Sequence, residues 1–225
     1  MPQHLQREIG NLKKKILHLG TIVEESVQRA VRSIEERDPL MAKKVIDLDR
    51  EIDRMEIDLE EDGLKILALY QPVAIDLRFI IAVLKINNDL ERIGDLAVNI
   101  AERSLFLCER PRMQIPDDIP FMAAQAQQML RKSLDALINL DSGLAREVCR
   151  CDDVIDARHS QLFEKIESEI RRDISKIEFL IQVLSISRYL ERIADHSTNI
   201  AEDVIYMVEG VIARHAPLDN RADRP

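Results

Sequence analysis

The chain has 225 residues, and 32 Lys+Arg against 41 Asp+Glu give it a formal charge of −9. Six Gly, no Trp and 4% aromatics are poor material for sandwiches or barrels, whose strands need aromatic and β-branched residues and frequent turns. The acidic balance excludes a general nucleic-acid binder, and a hydrophobic fraction of 46% is enough to fill a core and excludes wholesale disorder.

The opening MPQHLQREIGNLKKKILHLG has no apolar core of the kind a secretory signal needs. The longest apolar run, Phe79 to Leu84, is closed by Arg78 and Lys85 and is far short of a membrane span, so direct membrane insertion is not expected. Cys108, Cys149 and Cys151 form an odd set without a signal segment, which reads as reduced thiols in a cytoplasmic protein.

Breaks in the helical pattern are few. They fall at Asp38-Pro39, at Gly63 and Gln71-Pro72, across Pro111–Pro120, at Asp141-Ser142-Gly143, and near Arg172-Asp173-Ile174-Ser175. Between them apolar residues recur at helical spacing, which predicts six helices near 3–37, 40–69, 73–108, 120–141, 143–172 and 174–213. In the second helix Val45, Leu48, Ile52, Met55 and Leu59 form an apolar stripe. In the third, Phe79, Val83, Ile86, Leu90, Ile93, Ala97 and Ile100 do the same. The segment Phe79–Leu84 is apolar on every side, so it should be covered by its own bundle and by the other half or a second subunit. The sixth helix repeats the stripe with Phe179, Val183, Ile186, Leu190, Ile193, Ser197 and Ile200.

The two halves are copies. A shift of 100 positions overlays Asp76–Glu102 on Lys176–Glu202, and a shift of 103 overlays Val45, Asp49, Ile52 and Asp53 on Val148, Asp152, Ile155 and Asp156. The expected fold is therefore all-α, two tandem three-helix bundles. Residues 1–110 form the first bundle, 111–119 a proline-rich linker, 120–213 the second bundle and 214–225 a frayed tail.

Polar residues that core packing does not require also survive in both copies. Glu91, Asp95, Asn99 and Glu102 form one row down the third helix, matched by Glu191, Asp195, Asn199 and Glu202. At about 100° per residue these rows point roughly 165° away from the centre of the apolar stripe, to the helix exterior. On the second and fifth helices Asp49/Asp53 and Asp152/Asp156 stand one position beyond core residues. Carboxylates at i,i+4 repel, and adjacent turns present their oxygens roughly 5–6 Å apart, which suits a hard cation such as Mg, Ca, Mn or ferric iron. The plain alternative is a solvated charged face, in which Arg92 and Arg192 pair with Asp95 and Asp195.

The duplicated unit, with Glu91-Arg92-Ile93-Gly94-Asp95 and Glu191-Arg192-Ile193-Ala194-Asp195, resembles the PhoU family of phosphate-specific transport accessory proteins. His18-Leu19-Gly20 through Val31 and the stretch Gln71–Arg78 carry the same resemblance, which spans about Leu5 to Ile212. It implies a cytoplasmic homodimer that represses the phosphate-starvation response. Such a protein connects the ATPase subunit of the phosphate ABC transporter to a sensor histidine kinase. It also implies multinuclear clusters of iron, zinc, manganese or magnesium. The implied ligands are Glu91, Asp95, Glu191 and Asp195, approached by Asp49, Asp53, Asp152 and Asp156, with Asn99 and Asn199 continuing the rows. The second copy departs at Lys176-Ile177-Glu178, where the first has Asp76-Leu77-Arg78. The alternative from the residues themselves is a metal-dependent hydrolase or oxidase on the acidic faces. A nucleophile elbow, a phosphate-binding Gly loop and a His-Glu-x-x-His motif are all missing from the sequence.

Overall fold

The computed structural model describes residues 3–211; the expected tail at 214–225 lies outside them. The helices are α1 (Gln3–Glu36), α2 (Pro39–Tyr70), α3 (Ala74–Cys108), α4 (Asp118–Asn139), α5 (Ser142–Arg172) and α6 (Ile177–Glu209), with a single 3₁₀ turn at Ile174–Lys176 before α6. Each boundary has a local cause. Asp38 accepts hydrogen bonds from the backbone N–H of Leu40 and Met41 at 2.9 and 3.2 Å and places Pro39 in the first turn of α2, where its missing N–H costs nothing. Asp141 caps α5 through the N–H of Leu144 at 3.0 Å. Gly210 ends α6 at φ 73°, a conformation glycine adopts without strain.

Within each half the three helices pack on one another, and the seam between halves is made mainly by α3 on α6 and more lightly by α1 on α4. The predicted stripes form the core: Val83, Ile86, Leu90, Ile93, Ala97 and Ile100 are buried, as are Val183, Ile186, Leu190, Ile193, Ser197 and Ile200. Phe79, Leu48 and Met55 are only half-buried at its margin. The second cover over Phe79–Leu84 is the other half of the same chain, since α3 is wedged between α1, α2 and α6.

Helices α3 and α6 run antiparallel, and their contact is not purely apolar. The carboxylate of Asp89, buried, faces Nδ1 of His196 at 2.8 Å and accepts from Nδ2 of Asn199 at 3.2 Å. Lys85 donates to the buried Asp203 at 3.0 Å and lies 5.3 Å from the centre of the Tyr206 ring. Toward the other end Arg103 donates to Oε1 of Gln182 at 3.3 Å. Pairing buried charges in this way is what makes their desolvation tolerable.

Candidate functional site: two acidic grooves

In the first half, α2 and α3 pack closely at Gly94. A Cβ there would sit 3.2 Å from Cγ2 of Ile52 and 3.9 Å from Oδ1 of Asp49. The contact carries Asp49 and Asp53 of α2 to the flank where α3 presents Glu91 and Asp95. Burial, then the charges of Asp53 and Asp95, push the Asp49 carboxyl above its ordinary range. Glu91 rises for the same reasons, burial first and Asp95 next, with Arg92 opposing. Glu56, also raised by burial and by Glu60, extends the groove toward Asn87, whose Nδ2 donates to the Glu56 backbone carbonyl at 3.0 Å.

The second groove, between α5 and α6, is tighter. One oxygen each from Asp152, Asp156 and Asp195 lie within 4.8 Å of one another. The Asp152 carboxyl is pushed up to about 6 by burial, then by Asp195 and Asp156; the Thr198 hydroxyl offsets part of that rise. Asp195 is raised by burial and Asp156, and Glu191 by burial, Asp195 and Asp156. Cys149, one turn before Asp152, is half-buried, and its thiol is pushed up to about 12 by burial and the carboxylates of Glu202 and Asp152, so it stays protonated. The three cysteines are free thiols.

The outward placement expected from helical angles holds for some of these acids and not for others: Glu102 and Asp195 are exposed, whereas Glu91 and Asp95 are half-buried beside the neighbouring helix. Asp49, Glu91 and Asp152 are half-buried between helices, while Asp53 and Asp156 stand at the rims. An angle measured within one helix ignores what lies beside it, and α3 and α6 each have three neighbours, which leave only a narrow outward strip. The two asparagines also part company. Nδ2 of Asn99 donates to the backbone carbonyl of Asp95 at 2.8 Å, within its own helix, whereas Asn199 turns to Asp89 in the seam. Arg92 lies 3.4 Å from both Glu91 and Asp95 and covers part of the first groove. His159 is held at 3.0 Å from the Ser187 hydroxyl, its pKa lowered by burial and by Arg188. His196 is taken up by Asp89 across the seam.

Sequence reasoning missed Asp89; Glu56, in line with Asp49 and Asp53 on the second helix, was legible as an extension of that pair, but its place beside Asn87 was not. Neither is repeated in the other half: Tyr189 stands where a second Asp89 would be, and the position matching Glu56 is His159. The signal available for Asp89 was its place beside the core residue Leu90, on an otherwise apolar face.

Oδ1 of Asp49 and Oδ1 of Asp152, the same atom in the two copies, are both sealed from water without a hydrogen-bond partner among the described residues. A buried carboxylate oxygen left this way is costly; at Asp152 the nearby Thr198 hydroxyl eases that cost, and at Asp49 no hydroxyl among the described residues does so. Chemically each groove is a concentrated negative field with hard oxygen donors. It attracts cations and repels anions, phosphate included.

Six helices in two copies of three, each with one acidic groove between its second and third helix, define a duplicated helical-bundle protein. The chain belongs to the PhoU family: the PhoU domain profile matches residues 16–104 and again residues 119–204. It is 35% identical over 219 residues to the phosphate-specific transport system accessory protein PhoU homolog of Pseudomonas aeruginosa, covering 96% of this chain and 90% of that one. Against PhoU homolog 1 of Thermotoga maritima it is 35% identical over 208 residues, 92% of this chain and 90% of the other. Its fold matches the crystal structure of PhoU from Pseudomonas aeruginosa with a TM-score of 0.90 at 34% identity, over 92% of this chain and 99% of that one. It also matches the phosphate transport system regulatory protein PhoU from Streptococcus pneumoniae with a TM-score of 0.86 at 29% identity, over 92% and 98%. No helix among the described residues is long and apolar enough to cross a membrane.

Proposed function

We propose that this chain is an accessory regulator of phosphate transport that acts in the cytoplasm as a homodimer. It joins the ATPase subunit of the phosphate ABC transporter to a sensor histidine kinase, and so represses the phosphate-starvation response when phosphate is plentiful. The observation that carries this reading is end-to-end similarity, over nine-tenths or more of the chain, to relatives named as phosphate transport accessory proteins. The test is binding of the purified chain to the purified ATPase subunit and kinase at high and low phosphate. Binding to neither, in either condition, overturns it.

The acidic grooves hold hard cations in this reading, with Glu91, Asp95, Asp49 and Asp53 in the first groove and Asp152, Asp156, Asp195 and Glu191 in the second. The orphaned Oδ1 atoms of Asp49 and Asp152 fit such an ion. Iron, zinc, manganese and magnesium are the candidates; an all-carboxylate donor set favours the harder ions among them. A bound cation supplies positive charge that offsets the carboxylate repulsion, a part of which Arg92 offsets in the first groove and Arg188 and Arg192 in the second. Elemental analysis of protein purified without chelator should find several equivalents of metal, lost in an Asp95→Ala/Asp195→Ala double variant. Equal metal in both overturns this assignment. The relatives, named as transport accessory proteins, lend the hydrolase or oxidase alternative no support.

A further inference from the structure

Opposite the proline-rich linker, the α2–α3 connection, the α4–α5 turn and the C-terminal end of α6 meet at one end of the bundle. A cavity of about 230 Å³ opens there, lined by Ile75, Arg78, Phe79, Leu140, Met207 and Val208. Its surroundings are apolar and bare: Val73 is 75% exposed, Ile75 68%, Leu140 45% and Val208 40%. Arg78 reaches into this surface and rests against Gly210, where a Cβ would lie 2.5 Å from its Nη1. Nε of Arg78 is sealed from water, and the guanidinium has neither hydrogen-bond nor ion-pair partner among the described residues. The nearby carboxylate of Glu209 is committed to Arg146 at 2.6 Å. Asp76, two positions before Arg78, lies roughly 200° away around α3. Three of the four non-glycine residues with positive φ, Gln71, Ala74 and Leu140, border the same face.

The fold does not require any of this, as the second copy demonstrates. A shift of 100 positions puts Val73, Ile75 and Arg78 on Asp173, Ser175 and Glu178. There Asp173 accepts from the backbone N–H and hydroxyl of Ser175 at 3.1 and 2.6 Å, and Glu178 lies 3.4 Å from Nε of Arg110. The same helix entry there carries polar residues with their partners in place around one exposed apolar residue, Ile174. At the first copy it is apolar and holds a cation without a partner among the described residues.

We propose that this end face docks a protein partner that presents one Asp or Glu carboxylate among large apolar side chains, with the carboxylate pairing with Arg78. Apolar surface around a single desolvated charge pair is the usual make-up of an interface centre. An anionic membrane is disfavoured because the chain itself carries −9. A second copy is disfavoured because a two-fold contact over this face brings one unpaired guanidinium toward another. In its choice of partners the inference rests on the adaptor reading above.

The test titrates the purified ATPase subunit and the detergent-solubilised sensor kinase against the unaltered chain, a Val73→Asp/Ile75→Ser variant and Arg78→Gln. Circular dichroism melting verifies that each is folded. Both variants should weaken one partner by about tenfold or more, the scale of losing an interface centre. If the unaltered chain binds and both variants bind equally well, this inference is overturned while the adaptor reading stands. If the unaltered chain binds neither partner, the adaptor reading fails and the inference falls with it. Sedimentation with phosphatidylethanolamine/phosphatidylglycerol vesicles that is lost in Val73→Asp/Ile75→Ser would assign the face to lipid and overturn the proposal. So would a dimer in analytical ultracentrifugation that dissociates in the same variant.

Discussion

Replacing Asp152 by Asn should stabilise the cation-free protein. The Asp152 carboxyl ionises near about 6 in the folded chain, against an ordinary 3.8, because it is buried beside Asp195 and Asp156. The unfolded chain therefore releases this proton first. As pH rises through that window the folded state holds the extra proton, so stability present at low pH is lost on the way to neutrality. At about 1.36 kcal/mol per pH unit the full penalty is about 3 kcal/mol, and partial solvent access screens it to roughly 1–2 kcal/mol. An amide carries no such penalty. Thermal unfolding in EDTA at about pH 7.5 should show Asp152→Asn melting about 2–8 °C above the unaltered chain, the shift expected for that energy at this chain length. The gain should shrink as pH falls and vanish near pH 4, where the carboxyl is protonated in the folded state anyway. Millimolar Mn²⁺ or Mg²⁺ should stabilise the unaltered chain through preferential binding to the folded state, and the variant much less. A variant that melts lower at neutral pH without cations would refute the reasoning, because it would mean that the ionised carboxylate is stabilising where it sits.

Other expectations follow from the buried pairs and the core. Asp118, buried at the start of α4, accepts from Lys165 at 3.0 Å and Arg158 at 3.3 Å. Burial alone would raise its pKa, but the two cations prevail and lower it. Its contribution is thus present above the unfolded pKa and lost as pH falls through the lower folded value. Asp118→Asn should cost about 1–3 kcal/mol in urea unfolding at neutral pH and progressively less in acid. His196→Ala leaves the Asp89 carboxylate with Asn199 alone, and should cost about 2–3 kcal/mol and speed amide exchange along α3 and α6 ahead of the other helices. Leu190→Ala, in the centre of α6, should cost about 2–5 kcal/mol by denaturant titration, with the slope unchanged.

The helices, their stripes and the duplication were legible because each is a property of one helix or of a repeat within the chain. Val83 and Val183 could be placed in the core without knowing what packs on them. The acidic residues could be chosen but not oriented. Their rows look outward when each helix is taken alone, and only the approach of α2 at Gly94, and of α5 beside α6, turns the rows into grooves. The seam pairs were harder still. Asp89, Asp203 and Gln182 have Tyr189, Arg103 and Ala82 at the matching positions of the other copy, so comparing copies removes them from view. What breaks the symmetry of the halves is what joins them. His196 shows this directly, for the first copy has Leu96 there and no Asp89 counterpart for it to meet.

The connection from Glu109 to Asp117 gives that seam an unusual freedom. A tether this short holds one half at an effective concentration on the order of millimolar relative to the other. The α3–α6 contact therefore needs only the affinity of a weak complex to remain closed, which is why it can carry Asp89, Lys85 and Asp203 where a free-standing dimer would need a drier interface. Cleaving the chain between Arg112 and Gln114 would remove that advantage. The halves would then stay together only as far as the seam itself binds, and dilution would become a direct measure of how firmly the two copies are joined.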